Sequence, residues 1–145
     1  EAAQEMASWF LPVGKVIVKE DFRNKENNQI FRSKGYNIFT DKLKLVVLID
    51  GGSASASEIL AGALHDHSLA ILVGTQSFGK GSVQELVPIT SDTSLKVTIA
   101  KWLTPNSISI SHQGLTPDIV VKLDEAEFKK GNDNQLTKAL EILNK

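Results

Sequence analysis

The sequence predicts an α/β fold, a mixed sheet with flanking helices. Three observations carry this. The run Leu45-Val46-Val47-Leu48-Ile49 is short, β-branched and bounded by Gly51-Gly52, which reads as a strand. Beyond it, Ile59, Leu60, Ala63 and Leu64 recur at helical spacing, and a second apolar run, Ala70 to Val73, completes a β-α-β passage. From Ser82 onward, apolar and polar residues alternate with the period of half-buried strands.

From the N-terminus, Ala2, Ala3, Met6, Ala7 and Phe10 continue a helical pattern until Pro12, which lacks the amide that a helix interior needs. Gly14 to Lys19 reads as a strand, and Glu20 to Asn28 as a polar surface loop. Gln29 to Phe39 reads as an extended or hairpin segment turning near Lys34-Gly35. After the β-α-β passage come four alternating segments, Ser82 to Ile89, Ser94 to Leu103, Ser107 to Ser111 and Asp118 to Lys122. Leu136, Ala139, Leu140 and Leu143 mark a closing amphipathic helix.

A chain of 145 residues is long enough for one globular domain, residues 1–145. The hydrophobic content of 41% and the formal net charge of −1 argue against disorder and against a polyanion partner, so nucleic acid is not an expected ligand. No apolar run approaches the roughly 20 residues of a membrane span, and no signal peptide is readable. The absence of cysteine excludes disulfides and thiolate chemistry and fits either redox compartment. The helical pattern is already under way at Glu1, which leads to the expectation that a longer chain precedes it.

Chemistry is concentrated between Gly51 and Gln84. Ser55 heads the helix that follows the glycine-rich turn, a position that holds a hydroxyl clear of its strand. First-turn amides have no intrahelical partner, so they and the helix dipole favour an oxyanion beside Ser55, with the Ala56 N–H as candidate donor. Lys80, between Gly79 and Gly81, is the candidate base. An ordinary lysine, with a pKa of roughly 10.4, is protonated at neutral pH. The role therefore requires burial, expected among Phe78 and the strand Ala70 to Val73. Each residue also has a plainer reading. Ser55 with Glu58 forms a capping box, and a lone lysine is commonly a solvated surface charge. Ser53 and Ser57 are alternative serines in the same turn.

Two segments, Ser53-Ala54-Ser55-Ala56-Ser57-Glu58-Ile59-Leu60-Ala61-Gly62-Ala63-Leu64 and Ser77-Phe78-Gly79-Lys80-Gly81-Ser82-Val83-Gln84, resemble the carboxyl-terminal processing peptidases, also called tail-specific proteases. The resemblance runs from Phe10-Leu11-Pro12-Val13-Gly14-Lys15 to Gly114-Leu115-Thr116-Pro117-Asp118. It implies a crotonase/ClpP-like architecture and a serine endopeptidase with a Ser-Lys dyad that cleaves proteins near their carboxyl termini. The middle serine, Ser55, becomes the nucleophile, Lys80 the base, and Gln84 the residue that orients the lysine. The family context also implies upstream segments outside this sequence, including a PDZ domain and a second oxyanion donor, and an extracytoplasmic location such as the periplasm or cell envelope. Substrates would be proteins or peptides held in extended form. Two departures stand out: Asp50 occupies a position where relatives often carry asparagine, and Pro105-Asn106-Ser107 replaces proline followed by serine and glycine.

Rival readings are weaker. Gly74 to Lys80 fits a phosphate-binding loop, but Gly81 stands where that motif needs serine or threonine, and Ser82 to Pro88 alternates like a strand. His65 and His67 are two positions apart on a helix and point about 200° from one another, so they do not converge on one metal ion. His112 has no ligand-like neighbour. No cofactor and no metal are implied. A non-catalytic peptide-binding scaffold needing other segments for activity, a crotonase-like acyl-CoA enzyme and a homo-oligomeric assembly remain open at this stage.

Overall fold

The computed structural model describes residues 2–36, 38–39 and 43–144. The chain runs α1 (Ala2–Ser8), β1 (Val16–Phe22), β2 (Gln29–Arg32), β3 (Leu45–Ile49), α2 (Ala56–Asp66), β4 (Ala70–Gly74), β5 (Ser82–Pro88), β6 (Ser94–Leu103), β7 (Ile119–Val120), α3 (Glu125–Phe128) and α4 (Asn134–Leu143). This is an α/β fold, as expected. The expected mixture of parallel and antiparallel pairing is divided between two sheets: an antiparallel one in the order β2-β1-β6-β5 and a parallel one in the order β3-β4-β7.

α2 lies between them. One of its faces joins Ala63, with Ile59 and Leu60, to Ala7 and Leu11 from the first helical region and to Ile17 and Val18 of β1. Ala61 on α2 packs with Ile49, Leu72 and Leu115 over the parallel sheet. A helix wedged between two apolar surfaces needs small residues, and Ala61, Gly62 and Ala63 supply them. A methyl group at Gly62 would already sit 3.3 Å from Thr104 and 3.4 Å from Leu115. Such dual packing fixes the direction in which the N-terminus of α2 points.

Several boundaries differ from the sequence reading. β1 extends to Phe22, because Glu20, Asp21 and Phe22 pair with β6 as well as adjoining β2. The β1–β2 hairpin turns through a 3-10 segment at Lys25–Asn27, not near Lys34-Gly35. Asn24 caps that turn, and Asn28 accepts the Phe22 N–H at 2.8 Å. Residues 33–36 instead fasten α1: Ser33 Oγ donates to the Leu11 carbonyl, Lys34 N to Ser8 Oγ, and Tyr36 N to the Ser8 carbonyl. Asn37, within the expected extended segment, lies outside the described residues. Ser107 to Ser111 contributes only an isolated bridge, Leu103 to Ser109, and α3 was not legible beforehand.

Candidate active site

The turn after β3 is built on Asp50. Its Oδ1 accepts the Gly52 N–H at 2.9 Å, the Ser53 N–H at 3.1 Å and the Ser53 hydroxyl at 3.2 Å. Ser53 Oγ in turn accepts the Asp50 N–H. All donors converge on one acceptor oxygen, so aspartate serves here as asparagine would. The same network occupies the Ser53 hydroxyl within the turn, which separates it from Ser55 two positions on.

Ser55 adopts φ 54° and ψ −111°, a backbone conformation that glycine tolerates and side chains resist. Strain of this kind, about 1–3 kcal/mol, persists only where surrounding bonds impose it. Glu58 imposes it. Its side chain is 1% exposed and accepts four hydrogen bonds: Ser55 N–H at 2.9 Å and Lys80 N–H at 3.0 Å on Oε2, Ser77 Oγ–H at 2.6 Å and Gly79 N–H at 2.7 Å on Oε1. The capping-box pairing is therefore present through Glu58, and it does more than cap. One carboxylate oxygen holds the backbones of both candidate dyad residues, whose amide nitrogens lie at most about 6 Å apart, the two bonds end to end. Glu58 was visible in the sequence only as the last residue of the capping box.

The loop carrying Lys80 is held on its other side by residues 110–115 and by Trp102 of β6. Ser77 N donates to the Leu115 carbonyl, His112 N to the Gly79 carbonyl and Trp102 N to the Gly81 carbonyl, while Leu115 N donates to Ser77 Oγ at 2.6 Å. The backbones approach too closely for side chains. A methyl group at Gly81 would stand 2.3 Å from Ser111 N, and one at Gly79, where φ is 83°, would stand 2.9 Å from the His112 carbonyl carbon. Phe78 N–H donates to the Ser53 carbonyl at 2.9 Å, closing the loop onto the serine turn.

The expected burial of Lys80 is not found. Its side chain is exposed, and Phe78 beside it is 63% exposed. Among the described residues no hydrogen bond joins Lys80 Nζ to Ser55 Oγ, and Gln84, exposed on β5, makes none to Lys80. The reason is local. The contacts that fix the loop are made by its backbone and by the Ser77 and Gln76 side chains, Gln76 Nε2 donating to the Gln113 carbonyl, which leaves the four-carbon lysine stem free to extend into solvent. Ala56 stands as expected at the first helical position, exposed, and among the described residues no acceptor takes its N–H.

Residues 1–121 match the model of Peptidase family S41. The chain belongs to that family. It is 46% identical over 125 residues to a carboxy-terminal-processing protease of Bartonella bacilliformis, covering 86% of this chain and 28% of that protein. It is 41% identical over 118 residues to the chloroplastic carboxyl-terminal-processing peptidase 3 of Arabidopsis thaliana, covering 81% of this chain and 22% of the relative. Among solved structures, the photosystem II D1 C-terminal processing protease superposes with a TM-score of 0.74 at 32% identity, over 83% of this chain and 31% of that one. The chain thus spans less than a third of the length of these relatives.

In this S41 chain, Ser55 and Ala56 also line a cleft of about 350 Å³ with Ala2, Ala3, Gln4, Val18, Phe31, Ile59 and Trp102. The Phe31 and Trp102 rings meet at 5.8 Å with planes tilted by 59°. A larger cleft of about 790 Å³ lies between residues 43–46 and 68–71 and the end of α4, and neither Ser55 nor Lys80 lines it. The two histidines, His65 in the last turn of α2 and His67 at its C-cap, turn to different partners. His67 Nε2 donates to the Val16 carbonyl at 2.7 Å, whereas His65 Nε2 meets Asp118 Oδ1 at 3.0 Å. Burial pushes the Asp118 carboxyl up, but the Leu72 N–H at 2.7 Å and the His65 ring outweigh it and hold the group below the usual carboxylate range. The second departure from the family pattern is accommodated likewise: Ser107 has φ 67°, the conformation a glycine would favour, and its hydroxyl accepts from Lys19 Nζ at 2.8 Å.

Proposed function

We propose that this chain carries the nucleophile and base of a serine endopeptidase that cleaves proteins near their carboxyl termini. The observation that carries this reading is the shared Glu58 carboxylate, which couples a strained serine turn to the lysine loop. Lys80 Nζ removes the Ser55 proton as Oγ bonds the scissile carbonyl carbon. The carbonyl oxygen takes up the electron pair and is held by the Ala56 N–H. Collapse breaks the C–N bond, Lys80 returns the proton to the departing amine, and an acyl-enzyme ester remains. Water, deprotonated by Lys80, then attacks the ester and frees Ser55.

A lysine accepts a proton only where water is excluded from around it. Lys80 is exposed, so the base role requires bound peptide and the remaining protein to close over it. Its stem is long enough to reach across the short gap set by Glu58, with Gln84 on β5 as the residue that orients it. β5 is an edge strand and begins at Ser82, two positions beyond Lys80, which supports backbone pairing of an extended peptide along it. An extracytoplasmic site of action accompanies this reading.

The exposed lysine also favours a second reading, a non-catalytic peptide-binding scaffold. The two separate in the protein that carries this chain. Peptide hydrolysis lost in both Ser55→Ala and Lys80→Ala, with Lys80→Ala unchanged in stability, supports the peptidase. Peptide binding without turnover, equal in the parent and both variants, supports the scaffold and refutes the peptidase.

A further inference from the structure

We infer that Thr98 is a positioning residue for the base: its hydroxyl holds the Gln84 amide in the sense that presents Gln84 Oε1 to the Lys80 amine. The inference rests on the peptidase reading and deepens it by extending the group of Ser55, Lys80 and Gln84 to a fourth side chain.

A β-bulge carries it. β5 and β6 pair Ser82 with Lys101 and Val83 with Ala100, but the next step pairs Gln84 with Thr98, so Ile99 is the extra residue and has no partner on β5. Without the bulge Gln84 would stand opposite Ile99, whose side chain offers an amide nothing to bond. With it, a hydroxyl stands there instead. Residues directly opposite in an antiparallel pair share one face, with Cβ atoms about 4.5–5.5 Å apart. Bulges re-aim side chains and gather beside active sites, and this one falls at Gln84, four positions beyond Lys80. The register belongs to the two backbones, so it holds wherever the lysine stem points.

The donor inventory then sets the sense of the amide. An ammonium only donates, whereas a hydroxyl both donates and accepts. Lys80 therefore claims Oε1, and Nε2 is left to donate to Thr98 Oγ1. Gln84 and Thr98 are both exposed, and among the described residues neither side chain is hydrogen-bonded elsewhere. Lys96 pairs with Leu86 and so stands diagonal to Gln84 on the same face, where its ammonium competes for Oε1. Diagonal neighbours are about 7–8 Å apart, and Thr98 is the nearer partner. Its hydroxyl keeps the amide from turning toward Lys96.

The test measures kcat and KM of the full protein on an internally quenched peptide in the parent, Thr98→Val, Thr98→Ser, Gln84→Ala and the double variant Gln84→Ala with Thr98→Val. Valine keeps the β-branched shape that suits a strand and removes only the hydroxyl. Thr98→Val should lower kcat about 3–10-fold, the equivalent of one hydrogen bond, with KM and the urea midpoint unchanged. Thr98→Ser keeps the hydroxyl and should recover the kcat of the parent. In the Gln84→Ala background Thr98→Val should cost nothing further, because the hydroxyl then has no amide to hold. An undiminished kcat in Thr98→Val, a loss that Thr98→Ser shares, or an equal loss with and without Gln84 overturns the inference and leaves the peptidase reading standing. Absence of any Ser55-dependent hydrolysis overturns both.

Discussion

Removing the carboxylate of Glu58 tests the arrangement on which the candidate site depends. In Glu58→Ala four donors lose their acceptor: the amides of Ser55, Gly79 and Lys80 and the hydroxyl of Ser77. Hydrogen bonds to a charged group contribute about 1.5–3 kcal/mol each, roughly 6–12 kcal/mol for four. Against this, the variant no longer keeps a carboxylate out of water, a cost of several kcal/mol that is recovered. Water also reaches the three part-buried amides. The net loss should be about 3–5 kcal/mol, a large share of a total stability of about 5–15 kcal/mol. Glu58→Gln is the sharper variant. Each oxygen accepts two donors, so an amide NH₂ in either orientation confronts groups that want an acceptor. With the NH₂ at the Oε1 position, Ser77 can turn its hydroxyl, but the Gly79 amide is orphaned. With the NH₂ at Oε2, both the Ser55 and Lys80 amides are orphaned. The expected cost is about 1–3 kcal/mol. In urea unfolding followed by circular dichroism, with an m-value of about 2 kcal/mol/M, that lowers the midpoint by about 0.5–1.5 M. A Glu58→Gln midpoint within about 0.25 M of the parent would refute the four-donor network and the coupling built on it.

Two further outcomes follow from individual residues. Ser55→Gly should raise stability by about 0.5–2 kcal/mol, because glycine accepts φ 54° without strain, while Ser55→Ala keeps the strain and stays within about 0.5 kcal/mol of the parent. Thermal unfolding of both decides it, and a glycine variant less stable than the alanine variant would show that the turn is not strained. Asp118→Asn tests the link between α2 and β7. A carboxyl held below its unfolded value stabilises the fold above the unfolded pKa of about 3.9, and that contribution disappears as pH falls through the lower folded value. The variant should be less stable than the parent at pH 6 and converge with it by about pH 2–3. A gap that stays constant across that range would contradict the sign.

The sequence pattern carried most of the elements because each is governed by short-range periodicity. β3, α2, β4, β5, β6 and α4 all lie within a few residues of the positions that apolar spacing indicated. The failures fall where pairing, not periodicity, decides. Glu20 and Asp21 are polar enough to read as loop, yet both are held in β1 by a strand some 80 residues away. Ser107 to Ser111 alternates like a strand but has only one bridging neighbour, since residues 110–114 are turned to receive the glycines of the lysine loop.

At the site, the same division holds. The order strand, turn, helix around Ser55 and the glycines around Lys80 are local properties, written in residue type because a tight turn and a close backbone approach leave few alternatives. Which atom joins the two segments is not local. Glu58 faces inward because α2 is packed on both sides, and only that packing brings the loop at Ser77 to Lys80 within reach of its two oxygens. Likewise, the lysine backbone is fixed while its side chain is free, since a carboxylate can bind amides from a distant segment without constraining the stem they carry. The chain alone determined the chemical groups and their order. The tertiary fold determined which of them meet, because hydrogen bonds across segments depend on distances that the packing of helices against sheets sets.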